Sequence, residues 1–384
     1  MKKTIVLAAA LACAVAAGCG GKSKDKGMTE GSGMAMGSDM GSGMASGSDM
    51  VGTGSATPVE TKPAPPPPPP PPKKTPDEMV ARYQECWGFF NDAKWDDFKG
   101  CYTSDVISSN PGSGQPDLNG VDAVIANAQG FKEAFPDLKG DLQIVLQNGN
   151  HSLSVALLTG TNTGTMKTPM GEMKPSKKKV GYLFAHTVDF NDQGMVTKEW
   201  AFWDMGTMMT QIGASKMPAR KAMAKGAASP EVVVAKDDDK EKANVAVLQA
   251  AMDAFSKHDE KAFDALLAKD VVWYEAASPK DDNKKSVIAN SKQFWKGFSD
   301  VKLTAQTTWG AGDYAVAIGT LDGTNDGDMP AMKLKKTGKS VSVPFMHLVK
   351  VVDGKIQKSW IFFQGMAFAS QLGMMPPPPA PKTK

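Results

Sequence analysis

After its first 17 residues the chain has no long apolar run, so any hold on a membrane must come from the N-terminus. An excess of one charge is also missing. The 44 basic and 41 acidic residues leave a formal net charge of +3, which argues against a nucleic-acid surface. Cysteine is scarce, with 4 in 384 residues. Cys13 and Cys19 fall in or beside the N-terminal apolar run, which leaves Cys86 and Cys101 for a folded region. Two cysteines alone do not make a metal site, and no metal is expected. The length allows two or three ordinary domains.

Met1-Lys2-Lys3 is followed by apolar residues from Thr4 to Ala17 and then Gly18-Cys19. A basic start, a short apolar stretch and small residues before a cleavage point read as a secretory signal over residues 1–18. The stretch is too short to cross roughly 30 Å of hydrocarbon. Val15-Ala16-Ala17-Gly18-Cys19 resembles the bacterial lipobox, which implies acylation of Cys19. Acyl chains contribute about 0.8 kcal/mol per buried methylene, enough together for stable anchoring. Residue 20 is Gly rather than Asp, so an inner-membrane retention signal is missing and an extracytoplasmic, outer-membrane location is expected. The plainer alternative is a signal peptide with a chance cysteine.

Residues 19–75 read as a tether. GSGMAMGSDM at 31–40 is nearly repeated as GSGMASGSDM at 41–50, a flexible composition. An unbroken run from Pro65 to Pro72 predicts a stiff polyproline II rod. Met28, Met34, Met36, Met40, Met44 and Met50 supply thioethers that suit Cu(I), although no histidine or cysteine joins them after Cys19. Copper handling and a plain spacer both remain open from sequence.

The rest contains an internal repeat. Phe90-Asn-Asp-Ala-Lys-Trp-Asp-Asp-Phe98 aligns with Phe255-Ser-Lys-His-Asp-Glu-Lys-Ala-Phe263, an offset of 165 (90 to 255). Phe135-Pro-Asp-Leu138 aligns with Phe298-Ser-Asp-Val301, and Gly160-Thr-Asn-Thr-Gly164 with Gly323-Thr-Asn-Asp-Gly327. His186 matches His347, Trp200 matches Trp360, and Gln211-Ile-Gly213 matches Gln371-Leu-Gly373. The order is kept while the offset drifts by loop-sized steps. Two copies of one domain are expected, at 76–215 and 240–375, with a linker at 216–239 and a proline-rich tail at 376–384.

Each copy opens with helical spacing: Val80, Tyr83, Trp87 and Phe90 in the first, Val247, Ala251, Ala254 and Phe255 in the second. Short second and third helices follow, then strand-like alternation broken by turns such as Asn148-Gly149 and Asp353-Gly354. The expected class is α+β: two tandem cone-shaped domains, each with about three N-terminal helices packed in a curved antiparallel sheet. This order, the Phe-Pro-Asp-Leu segment, the Gly-Thr-x-x-Gly turn and the closing Glu199-Trp200-Ala-Phe-Trp-Asp204…Gln211-Ile-Gly213 resemble the SnoaL-like polyketide cyclases, or ester cyclases, of the nuclear transport factor 2-like superfamily. These motifs are more specific for fold than for activity.

The resemblance implies an acidic residue on the last long strand acting as acid/base in an intramolecular aldol closure, without metal or organic cofactor. Asp204 matches that position. His186 on the preceding strand is a candidate partner in proton transfer, or an ordinary half-buried histidine. In copy two Gln364 replaces the aspartate and His347 lacks a partner, so that copy should not do this chemistry. A binding interior is expected from Trp87, Phe131, Phe184, Trp200 and Trp203 in copy one, and from Trp273, Phe294, Phe345, Trp360 and Phe363 in copy two. Aromatic walls with a few polar groups suit a small apolar ligand, but the same stripe also describes any core. Cys86 and Cys101 flank the first helical hairpin and are either bridged or free buried thiols. Relatives of this kind pair through their sheets, so the copies are expected to pair within the chain. The leading expectation is a ligand- or partner-binding lipoprotein; an enzyme using Asp204 is the alternative.

Overall fold

The computed structural model describes residues 72–110, 116–168, 171–216, 218–330, 333–363 and 365–374 of the chain. Cys19, the tether methionines and Gln364 lie outside the described residues. Among the described residues no helix is long and apolar enough to cross a membrane.

The first lobe starts where Thr75 caps α1 (Pro76–Asn91): its hydroxyl accepts from Glu78 N while the Glu78 carboxylate accepts from Thr75 N at 2.7 Å. The chain continues through α2 (Trp95–Lys99), β1 (Tyr102–Ser109), β2 (Leu118–Asn119) and α3 (Val121–Ala134). It then meanders through β3 (Lys139–Asn148), β4 (His151–Thr161), the small hairpin β5 (Met166–Thr168) and β6 (Gly171–Met173), β7 (Lys179–Phe190) and β8 (Val196–Phe202). A short helix α4 (Met205–Gln211) closes the lobe. The second lobe repeats the order with α5 (Asp239–Ser256), α6 (Glu260–Leu266), β10 (Leu267–Glu275), α7 (Lys284–Gly297), β11 (Lys302–Ala311), β12 (Tyr314–Thr324), β13 (Ser340–Val352), β14 (Lys355–Phe363) and α8 (Gly365–Gln371). Between the lobes lies β9 (Glu231–Val234).

The sheets run β2-β1-β8-β7-β4-β3-β9 and β10-β14-β13-β12-β11. Two features depart from the antiparallel meander expected from sequence. β1 and β10 pair parallel with β8 and β14, and the linker contributes β9, parallel to β3. Val106 and Val271 drive β1 and β10 inward, but serines and an aspartate hide the strand pattern in β1, and Lys269-Asp270 interrupts it in β10. β9 forms because Glu231-Val-Val-Val234 can cover the otherwise bare edge of β3.

Curvature comes from register shifts that recur at equivalent positions: Tyr102/Ile107 and Leu267/Val272, Leu142/Ile144 and Ala305/Thr307, Asp189/Phe190 and Lys350/Val351. The repeated motifs hold this shape. Asn162, in the Gly-Thr-Asn-x-Gly turn, donates to Ala134 O and Gly164 O, and Asn325 donates to Gly297 O and Gly327 O. A Cβ at Gly164 would stand 1.7 Å from Glu133 O, and one at Gly327 1.8 Å from Lys296 O, so only glycine fits. Gln211 brackets the backbone of Gly181 and Gln371 that of Ser342.

The outer faces of the sheets meet over one apolar cluster. Leu146, Leu153, Ala185 and Phe202 contribute from one lobe; their equivalents Trp309, Val316, Met346 and Phe362 contribute from the other. Asn148 Nδ2 donates to Gly310 O at 2.9 Å, and Glu231 receives Tyr314 Oη at 2.7 Å and Lys350 Nζ at 2.9 Å.

Cys86 and Cys101 form a disulfide with Cα atoms 6.0 Å apart, closing a 15-residue separation. Loop-closure entropy for such a separation is about 3 kcal/mol. The Cys86→Ala/Cys101→Ala variant should therefore lose about that much unfolding free energy in urea titrations, and a loss well under 1 kcal/mol would reject the entropic account.

Candidate functional site

Inside lobe 1, alternation along β7 turns His186 toward the helices, where it is buried. Its Nε2 lies 2.9 Å from Glu199 Oε2 on β8, and its Nδ1 lies 2.8 Å from the hydroxyl of Tyr83 on α1. That hydroxyl is also 2.7 Å from Ser154 Oγ on β4, directly across from His186 in the ladder. Ser108 and Tyr102 of β1 complete the set by hydrogen-bonding the Glu199 carboxylate. Trp87 meets the imidazole edge-on at 6.0 Å and Phe184 lies at 5.8 Å.

Burial works to raise the Glu199 carboxyl, but the charge and hydrogen bond of His186, with Ser108 and Tyr102, outweigh it and hold it below its ordinary value. The result is a buried carboxylate that stays ionised. His186 Nε2–H donates to it, Nδ1 meets the Tyr83 hydroxyl, and that hydroxyl meets Ser154 Oγ, so four side chains form one hydrogen-bonded line. The line runs unbroken from Tyr83 through His186 to Glu199.

Asp204, the acid expected from sequence, is elsewhere. β8 ends at Phe202, and Asp204 is the N-cap of α4, its Oδ2 accepting from Thr207 N at 2.6 Å. Parity explains this. Glu199 and Trp203 point into lobe 1, so Asp204 turns out toward lobe 2, where Thr207 Oγ1 donates to Ala276 O at 3.2 Å. Burial raises the Asp204 carboxyl, against the pull of bonds from Thr207 and Gly206. The carboxylate partner of His186 is Glu199, and the signal that could have found it was parity: Glu199 shares the inward face of the sheet with His186.

The aromatic expectations divide in the same way. Trp87, Phe131, Phe184 and Trp203 pack into the lobe 1 interior, with Trp203 5.6 Å from Tyr182 and 6.0 Å from Phe131. Trp200 and Trp360 do not line interiors; each follows an inward residue and packs against the cluster shared by the two sheets. In lobe 2, Trp273, Phe345 and Phe363 belong to the interior around His347, whereas Phe294 packs in a separate cluster, stacked on Phe298 at 4.9 Å.

Ladder register, and on the first helix the repeat offset of 165, identify what lobe 2 has at each position of the buried chain: Leu248 for Tyr83, Leu267 for Tyr102, Trp273 for Ser108, Ala317 for Ser154 and Ser359 for Glu199. His347 Nε2 keeps one bond, to Ser359 Oγ at 2.8 Å, while Nδ1 is buried with no hydrogen-bond partner. Trp273 stands edge-on at 5.2 Å. Burial pushes the His347 ring down to about 3. At the lobe junction, Glu275 was not singled out from sequence. Its carboxyl is pushed up to about 8 by burial and by Asp282 and Asp204, against the pull of Arg220. Among the described residues no cluster of three or more His, Cys, Asp or Glu could hold a metal ion.

The family profile of SnoaL-like polyketide cyclases matches residues 77–212 and again residues 245–372, together more than half of the chain. The chain belongs to that family. Solved structures similar to a single SnoaL-like domain of it include AclR from Streptomyces galilaeus, at 20% identity over 35% of this chain and 99% of that one, with a TM-score of 0.33. IdmH from Streptomyces antibioticus matches at 19% identity over 34% and 98%, with a TM-score of 0.31. TsrD from Streptomyces laurentii matches at 19% over 35% and 97%, with a TM-score of 0.31. No curated protein sequence matches the chain.

Two pH dependences follow, of opposite sign. His347 titrates lower in the folded protein than in the unfolded chain, so its contribution is whole above about pH 6.5 and is lost as pH falls toward 3. His347→Leu should flatten the loss of stability on acidification, seen as a smaller shift of the urea midpoint between pH 6.5 and about pH 4. Glu275 titrates higher when folded, so its contribution is present below about pH 4.5 and is lost as pH rises through 8. Glu275→Gln should stabilise the protein more at pH 8 than at about pH 5; equal effects at both would contradict the assignment.

Proposed function

We propose that this is an extracytoplasmic lipoprotein, attached through a lipid on Cys19 and the 19–75 tether, whose first SnoaL-like domain binds a small apolar molecule. The molecule is recognised by the aromatic lobe 1 interior that holds the Tyr83–His186–Glu199 chain. One observation carries the reading: lobe 1 keeps an ionised carboxylate in an aromatic interior, while lobe 2 builds the same fold with Ser359 in its place. Burying a charge costs several kcal/mol before its partners are counted, and a hydrophobic replacement is often neutral or stabilising. The second lobe therefore indicates that the charge serves something other than folding. Lobe 2 acts as the partner that covers the outer face of lobe 1, taking the place of a second chain.

A second reading, cyclase-like acid/base catalysis, is favoured by the hydrogen-bonded line from Tyr83 through His186 to Glu199. In that reading His186 and Glu199 exchange the proton and Asp204 does not.

The test uses 2-naphthol, an apolar ring system with one hydroxyl, and follows tryptophan fluorescence of the full chain. Saturable binding is expected in the wild type. Glu199→Gln should weaken it by about tenfold or more, the worth of a hydrogen bond to a charged group. Folding stability should fall by about 1–3 kcal/mol, because the amide cannot serve every donor that the carboxylate served, so binding is compared where the variant remains folded. His347→Leu should leave binding intact. Absence of saturable binding, or binding that depends on His347 instead of Glu199, would sink the proposal.

A further inference from the structure

Cys86 follows Tyr83 by one helical turn on α1, and Cys101 immediately precedes Tyr102 at the start of β1. The disulfide between them therefore joins the two segments whose tyrosines reach opposite ends of the buried chain. Tyr83 holds His186 Nδ1 at 2.8 Å, and Tyr102 holds the Glu199 carboxylate.

Lobe 2 shows what the fold needs without this brace. Its Phe255 and Phe263 rings meet at 6.1 Å, as Phe90 and Phe98 do at 5.8 Å, so the first two helices close there without a disulfide. Ala251 and Leu266 stand at the cysteine positions, and Leu248 and Leu267 at the tyrosine positions. Disulfide, tyrosines and carboxylate occur together in one lobe and are replaced together in the other. A brace required by the helical hairpin would be required in both.

We propose that the Cys86–Cys101 disulfide is a positioning element of the lobe 1 site, holding Tyr83 and Tyr102 against His186 and Glu199. This deepens the binding proposal above, yet its first consequence, the geometry of the two tyrosines, can be measured without any ligand. Failure of one proposal is thus distinguishable from failure of the other.

All 5 tyrosines of the chain are buried enough that their hydroxyls are held above the ordinary range, so the folded protein should resist tyrosine ionisation in alkali. The informative variant is Cys86→Ala/Cys101→Leu, which installs the pair that lobe 2 uses. Tyrosinate absorbance is followed against pH while near-ultraviolet circular dichroism reports the fold. Two tyrosines should ionise about one pH unit or more below the wild type. That early phase should vanish when Tyr83→Phe and Tyr102→Phe are added. The ring-nitrogen chemical shifts of His186 should also move, as Nδ1 loses a fixed partner, while those of His347 stay. A folded variant with unchanged tyrosine titration and unchanged His186 shifts would overturn the proposal. Should the variant not fold, the same two probes are read on the wild type with its disulfide reduced under native conditions, where unchanged titration and shifts would overturn the proposal equally.

Discussion

Each of the two sheets is buried on both faces, and most of the structure follows from that constraint. Along β8 the side chains alternate between the lobe 1 interior and the cluster shared with lobe 2: Glu199 turns in, Trp200 out, Phe202 out and Trp203 in beyond the strand end. A sheet with one wet face would show polar residues at every second position. Here both sets are apolar, so a charged residue at an inward position stands out chemically although not in the hydropathy pattern. The same constraint fixes register. A one-residue slip in β8 would carry Glu199 into the apolar contact between lobes and Phe202 into the interior. The polar chain of lobe 1 and the pairing of the lobes are thus two sides of the same strands.

That two-sidedness also decides what could be read in the sequence. The repeat was legible because it rests on residues with no freedom: Gly164 and Gly327 against a helix carbonyl, Asn162 and Asn325 tying the helix end, Gln211 and Gln371 bracketing a strand. These are the motifs that carried the family resemblance, and they are structural, which is why they pointed to fold and said little about chemistry. Trp200 and Trp360 read as interior residues in the sequence because an aromatic on a doubly buried strand looks alike on either face. Asp204 reads as a strand residue because nothing local marks the end of β8; its capping bond to Thr207 exists only once α4 has formed. β1 and β10 leave little trace in the sequence because their polar residues interrupt the alternation. The long-range contacts from Tyr83 and Tyr102 to His186 and Glu199 join segments far apart in sequence and have no local signature.

The duplication offers a comparison that a single domain cannot. Lobe 2 has the same order of helices and long strands, the same bulges and the same histidine, and dispenses with the ionised carboxylate. The fold therefore does not require the charge. What the charge does require is a set of donors, and lobe 1 supplies them from four separate elements: α1, β1, β4 and β7. Assembling them is a constraint on the whole lobe, since displacement of any one element would leave a buried polar atom without a partner.

That coupling explains why the lobes differ at five positions together rather than at one. Were Glu199 alone replaced by serine, the hydroxyls of Tyr102 and Ser108 would lose their acceptor while still buried, each at a cost of about 1–3 kcal/mol. Were Tyr83 alone replaced by leucine, His186 would lose its Nδ1 partner beside a charged carboxylate. Partial versions of the chain are less favourable than either its complete form or its complete removal. Lobe 2 lies near the second limit: leucines replace both tyrosines, alanine replaces Ser154, and Trp273 fills space released by the smaller side chains. His347 is the one residue left over, tolerable because it is neutral and Ser359 still satisfies one of its two nitrogens. Between these two limits the same backbone supports a charged interior in one lobe and an apolar one in the other, and the choice is made by side chains alone.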